Sequence, residues 1–231
     1  MNKFLCLNSN LMPEIIKDQK MRNQYPNVDS CQLHRLNKNL LFTNNEYSEF
    51  FLNKIIQILT SAHYKNSPND LMSIADSKSH ELFCLMPAEF DNNSPIICVL
   101  LVNYEGNIEN EKFNKSQHTP GNLIPYTISQ AFFEPDFQSM IGVRVVRIAT
   151  NDNYQRMGYG TKCIQELECY LSRYDSKSAN IHSEDALFTP ISKCHPPLDV
   201  DYIGTAFGLT RDLFVFWEKH SFIPVNLSHS E

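Results

Sequence analysis

No stretch of this 231-residue chain approaches the ~18 consecutive apolar residues of a membrane-spanning helix. The opening MNKFLCLNSNLMPEIIKDQK has too short an apolar run for a secretory signal, so a soluble, intracellular protein is expected. The seven cysteines form no Cys-x-x-Cys pair and no metal-ligand spacing; most lie in apolar runs such as ELFCLM and IICVLLV, as reduced, buried thiols do. Basic residues are too few for a surface that grips nucleic acid throughout: 20 Lys and Arg against 26 Asp and Glu give a net charge of −6. GxxxxGK followed by Ser or Thr is absent, which excludes a P-loop nucleotidase. The three-glycine dinucleotide fingerprint also fails, because only two of its glycines exist.

What is present is enough apolar residue, 42%, for one large domain. Residues 1–40 are polar, rich in Asn and Gln and interrupted by Pro13 and Pro26, and read as an N-terminal extension or linker; the domain is expected over 41–231. Tyr47, Phe51, Ile55, Ile58 and Ala62 recur at helical spacing, predicting a helix over 46–63 capped by Thr43 or Asn44 and ending on His63. A short helix over 69–76, strands over 81–86 and 96–106, and an irregular polar loop over 107–140 with a short helix in TISQAFF follow. Val143–Thr150 is the strongest strand, and residues 158–174 form a helix with Ile164, Leu167 and Leu171 on one face. After a polar insertion over 175–197, a strand YIGTAFGL leads to a helix capped by Thr210, with Leu213 and Trp217 facing in, and to a final strand FIPVNL.

The order strand, polar turn, QRMGYG, helix carries the chemistry. A helix that opens through Gly158 and Gly160 presents unpaired backbone N–H groups with no side chain to block a pyrophosphate, and its dipole favours negative charge. A glycine-punctuated turn explains the same residues more plainly, and the glycines alone do not decide between the two.

The pattern of Gln155, Arg156, Gly158 and Gly160 after a strand ending RIAT resembles the acetyl-coenzyme A loop of the GNAT N-acetyltransferases. Four ordered blocks, HYKNSPNDL (63–71), GNLIPYTISQAFFEPDF (121–137), RVVRIAT with YQRMGYGT (144–161) and LDVDYIGTAFGLTRDLFVFWEKHSFIPVNL (198–227), resemble the acetyltransferase domain of the eukaryotic RNA cytidine acetyltransferases. Those enzymes make N4-acetylcytidine in ribosomal and transfer RNA. The resemblance implies an α+β GNAT fold, a mixed sheet splayed at a bulge and flanked by helices, with acetyl-CoA as cofactor and no metal. Ile148, Ala149 and Thr150 would border the acetyl and pantetheine arm, and Gln155, Arg156, Met157, Gly158, Tyr159, Gly160 and Thr161 would wrap the pyrophosphate. Lys219 stands where the family usually has a cofactor-binding Arg, keeping the charge without the bidentate fork. Arg156 stands where this family prefers Gly, and Asn151-Asp152 where His-Pro is common.

The resemblance also implies a nuclear, nucleolar enzyme whose ATP-using helicase-like module and RNA-binding segments have no counterpart in this chain, so that those parts would grip the rRNA or tRNA. The amine nucleophile must lose a proton as the C–N bond forms, and His63, in a polar block at a helix end, is the candidate base; a histidine capping its own helix is the competing reading. Tyr64 as an acid and Asp70 as an orienting group are weaker candidates. His80, His118 and His220 read as structural or solvated, and His182, His195 and His229 have no ligand spacing. A GNAT enzyme for protein or small amines, and an inactive coenzyme-binding module, are the alternatives.

Overall fold

The computed structural model describes residues 25–43, 45–62, 68–90, 94–106, 122–175 and 186–228. Its centre is one sheet of six strands in the order β5-β1-β2-β3-β4-β6. These are β1 (Cys31–Leu36), β2 (His80–Pro87), β3 (Cys98–Gly106), β4 (Ile141–Thr150), β5 (Phe188–Pro190) and β6 (Tyr202–Thr205). Every neighbouring pair is antiparallel except β4 with β6, which run parallel, so the sheet is mixed as expected.

The helices are α1 (Lys38–Leu41), α2 (Glu46–Ser61), α3 (Pro68–Asp76), α4 (Leu123–Phe132), α5 (Tyr159–Leu171) and α6 (Arg211–Lys219). β2 and β3 are buried on both faces, which explains their near-continuous apolar sequences. On one face, Ile164, Leu167 and Leu171 of α5 join Trp217 of α6 over Phe83, Leu85, Leu100 and Val143. On the other, Phe51, Ile55, Ile58 and Leu59 of α2 pack on Leu82, Cys84, Val99 and Leu101. The helical spacing therefore identified the buried face of α5 and, in α2, Phe51, Ile55 and Ile58, whereas Tyr47 and Ala62 at the ends of that stripe are exposed. The cap of α2 is Asn45, whose Oδ1 accepts from Ser48 N at 2.7 Å, and not Thr43 or Asn44.

Three expectations are corrected. Structure starts before residue 40: β1 is an interior strand between β5 and β2, drawn from the segment read as an extension. Its polar residues hid it. His34 is buried against the Phe90 ring, and Arg35 is paired with Glu81 at 2.7 Å, so polar side chains occupy positions that an alternation test reads as loop. The polar insertion is not loop throughout, since β5 returns to the sheet edge against β1, and Tyr170 donates its hydroxyl to His195 O at 3.1 Å. Finally, FIPVNL forms no strand. Ser221 turns the chain with φ 62°, and Ile223, Val225 and Leu227 are exposed, because a β-branched sequence becomes a strand only where a ladder partner exists. Leu213 is likewise 40% exposed, while Trp217 faces in as expected.

Because β1 is interior, its core side chain carries a measurable share of stability. Leu33, 0% exposed, truncated as Leu33→Ala should cost about 3 kcal/mol in urea unfolding, within the range for buried leucines. A variant as stable as the wild type would return β1 to the status of an appendage.

Candidate active site

The site is built by β4. Its register with β3 pairs Val145 with Val102 and then Arg147 with Leu101, leaving Val146 as an extra residue, a β-bulge. On its other side, β4 pairs with β6 only through Gly142–Val145, the last pair being Val145 with Thr205, and Thr205 Oγ1 donates to Val145 O at 3.2 Å. Past that point β4 continues to Thr150 along β3, beyond its last pair with β6. The expected splay and the expected bulge coincide.

The segment beyond the bulge holds Ile148, Ala149 and Thr150. Ile148 is half-buried against the α5 layer and Ala149 is buried in the α2 layer. Thr150 sits on the buried Cys98, its Oγ1 3.6 Å from the sulfur. Asn151 N then donates to Ile97 O at 2.9 Å, and a short 3-10 turn over Asp152–Tyr154 carries the chain to the loop. Gln155 folds back: its Nε2 donates to Asp152 Oδ1 at 2.8 Å and to Thr150 O at 3.4 Å, bracing the turn.

Arg156 follows with φ 61° and Gly158 with φ 92°, both in the left-handed region. Gly158 is the N-cap of α5, has no capping side chain, and a Cβ there would meet nothing within 4 Å. The N–H groups of Tyr159, Gly160 and Thr161 thus open a helix with no side-chain acceptor, beside exposed Arg156 and Met157. Tyr159 contributes only its backbone to this surface. Its ring is buried, edge-on to Tyr154 at 5.8 Å, and its hydroxyl donates to Pro26 O at 2.6 Å. A Cβ on Gly160 would lie 3.6 Å from the Phe216 ring and 3.7 Å from Thr150 Oγ1, so α6 and the end of β4 flank the opening. Lys219 is exposed in the last turn of α6.

Across the sheet, α4 covers the β4–β6 junction. Ile124 N donates to Glu105 Oε2 at 3.0 Å, Gly106 N donates to Asn122 Oδ1 at 2.8 Å, and Ile124 fits against Gly204, where a Cβ would be only 2.6 Å from its Cδ1. Glu105 is itself buried in an ion pair with Arg144 and accepts from Asn103 Nδ2 at 3.2 Å. The Tyr202 ring occupies the space over Gly142, and burial with the nearby Glu105 and Asp201 raises its hydroxyl well above the usual phenol range.

His63 and Tyr64 lie outside the described residues, as do His118, His182 and His229, and Asp70 falls in α3 without a described side chain. His80 faces Ser73 O at 3.1 Å, and burial lowers its affinity for a proton. The six described cysteines are free thiols, and the hydrogen bond with Cys98, together with burial, pushes the Cys163 thiol up, so it offers no ready thiolate. No group of three or more metal-ligating side chains occurs among the described residues. Sequence reasoning set His220 aside as structural or solvated and missed Phe216, although their four-residue spacing on α6 was a readable signal; it also missed the Tyr25–Pro26 segment, which carried none.

A strand parted from its parallel neighbour at a bulge, running into an uncapped, glycine-opened helix, is the arrangement expected of an N-acetyltransferase fold. Residues 54–189 and 173–231 match the family described as GNAT acetyltransferase 2. The chain is 34% identical to the RNA cytidine acetyltransferase of Drosophila melanogaster over 97% of its length and 25% of that protein's. It is 34% identical to the Saccharomyces cerevisiae protein of the same name and 32% identical to the Homo sapiens one, each over 98% of this chain and 25% of the relative. The chain belongs to the GNAT acetyltransferase 2 family, and it spans about a quarter of the length of these relatives.

The two left-handed residues of the loop should respond to substitution with opposite signs. Gly158→Ala should destabilise the chain by about 1 kcal/mol, because a Cβ is strained at that φ, whereas Arg156→Gly should relieve a similar strain. Thermal or urea unfolding of the two variants reads the difference; a stabilised Gly158→Ala would show that the loop does not hold this conformation.

Proposed function

We propose that the chain is the acetyl-transferring part of an RNA cytidine acetyltransferase, which moves acetyl from acetyl-CoA to the exocyclic amine of cytidine in rRNA or tRNA. The observation that carries this is the continuity of the splayed β4 with the uncapped start of α5; the substrate class comes from the relatives' names. The family implies acetyl-CoA, and the site fits it: open space at Gly158, helix N–H groups lacking a side-chain cap, and a strand edge free of β6. Backbone groups of Gln155–Thr161 would hold the pyrophosphate, with Arg156 and Lys219 adding charge, and Ile148–Thr150 the acyl arm. When bound, acetyl-CoA supplies an acyl group activated as a thioester.

The chain's residues do the rest. A backbone N–H fixed at the bulge is a preorganised donor to developing negative charge, which needs no reorganisation during reaction. His63 takes the proton shed by the cytidine amine at an imidazole nitrogen, and no cysteine is required as a nucleophile. With a net charge of −6, the chain leaves the main grip on RNA, and any ATP-driven remodelling, to other parts of a larger nucleolar enzyme.

Calorimetric titration of coenzyme A should detect binding, and Gly160→Glu should abolish it by placing a carboxylate beside the donors. Unchanged affinity in a folded Gly160→Glu variant would refute the site.

The substrate is tested by substituting the chain for the matching region of the S. cerevisiae relative and measuring N4-acetylcytidine in RNA with unpaired cytidines, since a stacked base cannot present its amine unless flipped out. His63→Ala in that chimera should lower the rate by about 10²-fold or more with coenzyme affinity little changed. Acetylation of protein amines in place of RNA would overturn the substrate class, and a wild-type rate in His63→Ala would remove His63 as the base.

A further inference from the structure

α6 meets the first turn of α5 through two side chains on one of its faces. Phe216 and His220 are four residues apart, with ring centroids 4.9 Å apart. The Phe216 ring reaches to 3.6 Å from where a side chain on Gly160 would begin, and His220 Nε2 lies 3.2 Å from Thr161 Oγ1. Gly160 and Thr161 are consecutive residues in the uncapped first turn of α5. Capping does not account for the ring of His220. His220 ends α6 through its backbone, the N–H donating to Trp217 O at 3.0 Å, which leaves the imidazole to reach across to α5.

We infer that His220 is a positioning residue of the coenzyme cleft: its ring ties α6 to Thr161, and so fixes Phe216 beside the backbone donors that open α5. The inference rests on the coenzyme reading above and goes beyond it by naming what sets the width of the cleft. A neutral ring accepts from the Thr161 hydroxyl at Nε2 and a protonated ring donates to it, so the tie survives either state. The charged groups facing the ring are Glu168 of α5 and Lys219 of α6. Burial, aided by Lys219 and opposed by Glu168, holds the imidazole below its ordinary value. It is therefore neutral at about pH 7 in the free chain. An anion at the start of α5 favours the imidazolium, so binding takes up a proton, and this contribution to affinity grows as pH falls toward about 6.

The experiment is titration of coenzyme A into the full chain by calorimetry, in buffers of differing ionisation enthalpy, from about pH 5.5 to about pH 8. His220→Ala and Thr161→Val should each weaken binding about five- to tenfold, as one lost hydrogen bond does. The double variant should bind no more weakly than either single one, because both remove the same contact. His220→Gln should keep most of the affinity near pH 8 and take up fewer protons than the wild type. If His220→Ala does not fold, Thr161→Val and His220→Gln carry the same test. Binding as tight as wild type in Thr161→Val and His220→Ala overturns the inference alone. A wild-type chain that binds no coenzyme A at any pH removes the coenzyme reading first, and this inference with it.

Discussion

Between Val145 and Arg147, β4 gains one residue against β3, and because side chains alternate with a period of two, that residue changes which layer the rest of the strand addresses. Val143 and Val145 face the α5 layer, as does Ile148, while Val146 and Ala149 join the α2 layer. A bulge also bends and over-twists its strand, and the parallel ladder with β6 ends at the same place. One added residue thus frees a strand edge, aims it toward the start of α5, and still leaves both cores filled. The loop and the two flanking helices are arranged around the opening so produced.

The two sides of that opening differ in chemistry. Toward α5 and α6 the wall is aromatic, with the rings of Phe207, Phe216 and Phe222 each in contact with Trp217. Toward α4 it rests on buried polar groups, Glu105 with Arg144 and Asn103, that anchor the helix start. Buried charges of this kind add little net stability when paired but fix geometry, since a displaced helix would strand an unpaired carboxylate. Aromatic packing shapes one wall of the cleft and ion pairing holds the other in place.

Much of this was legible in the sequence because it depends on local pattern. The apolar spacing of α2 and α5, the uninterrupted runs of β2 and β3, and the glycines after RIAT each reflect an element's own period or turn chemistry. What escaped depends on partners distant along the chain. β1 is intelligible only once Glu81 is seen to accept Arg35 and Phe90 to pack on His34. β5 has no pattern of its own and exists as the edge that β1 offers. FIPVNL failed in the opposite sense, having strand composition without a ladder. In the site, backbone features were readable as glycine positions, whereas the side chain of Gln155 turned inward to brace its own loop, and the ring of Tyr159 went to the core.

The contact between Tyr159 and Pro26 joins the segment before β1 to the start of α5. Tyr159 is the first residue of α5, and Tyr25 adds an edge-on ring contact to Tyr154, so Tyr25 and Pro26 are fastened beside the helix start at two places. Loss of the Tyr159 side chain would therefore release Pro26 and loosen the first turn of α5 together, so a core aromatic and the opening of the helix depend on one contact.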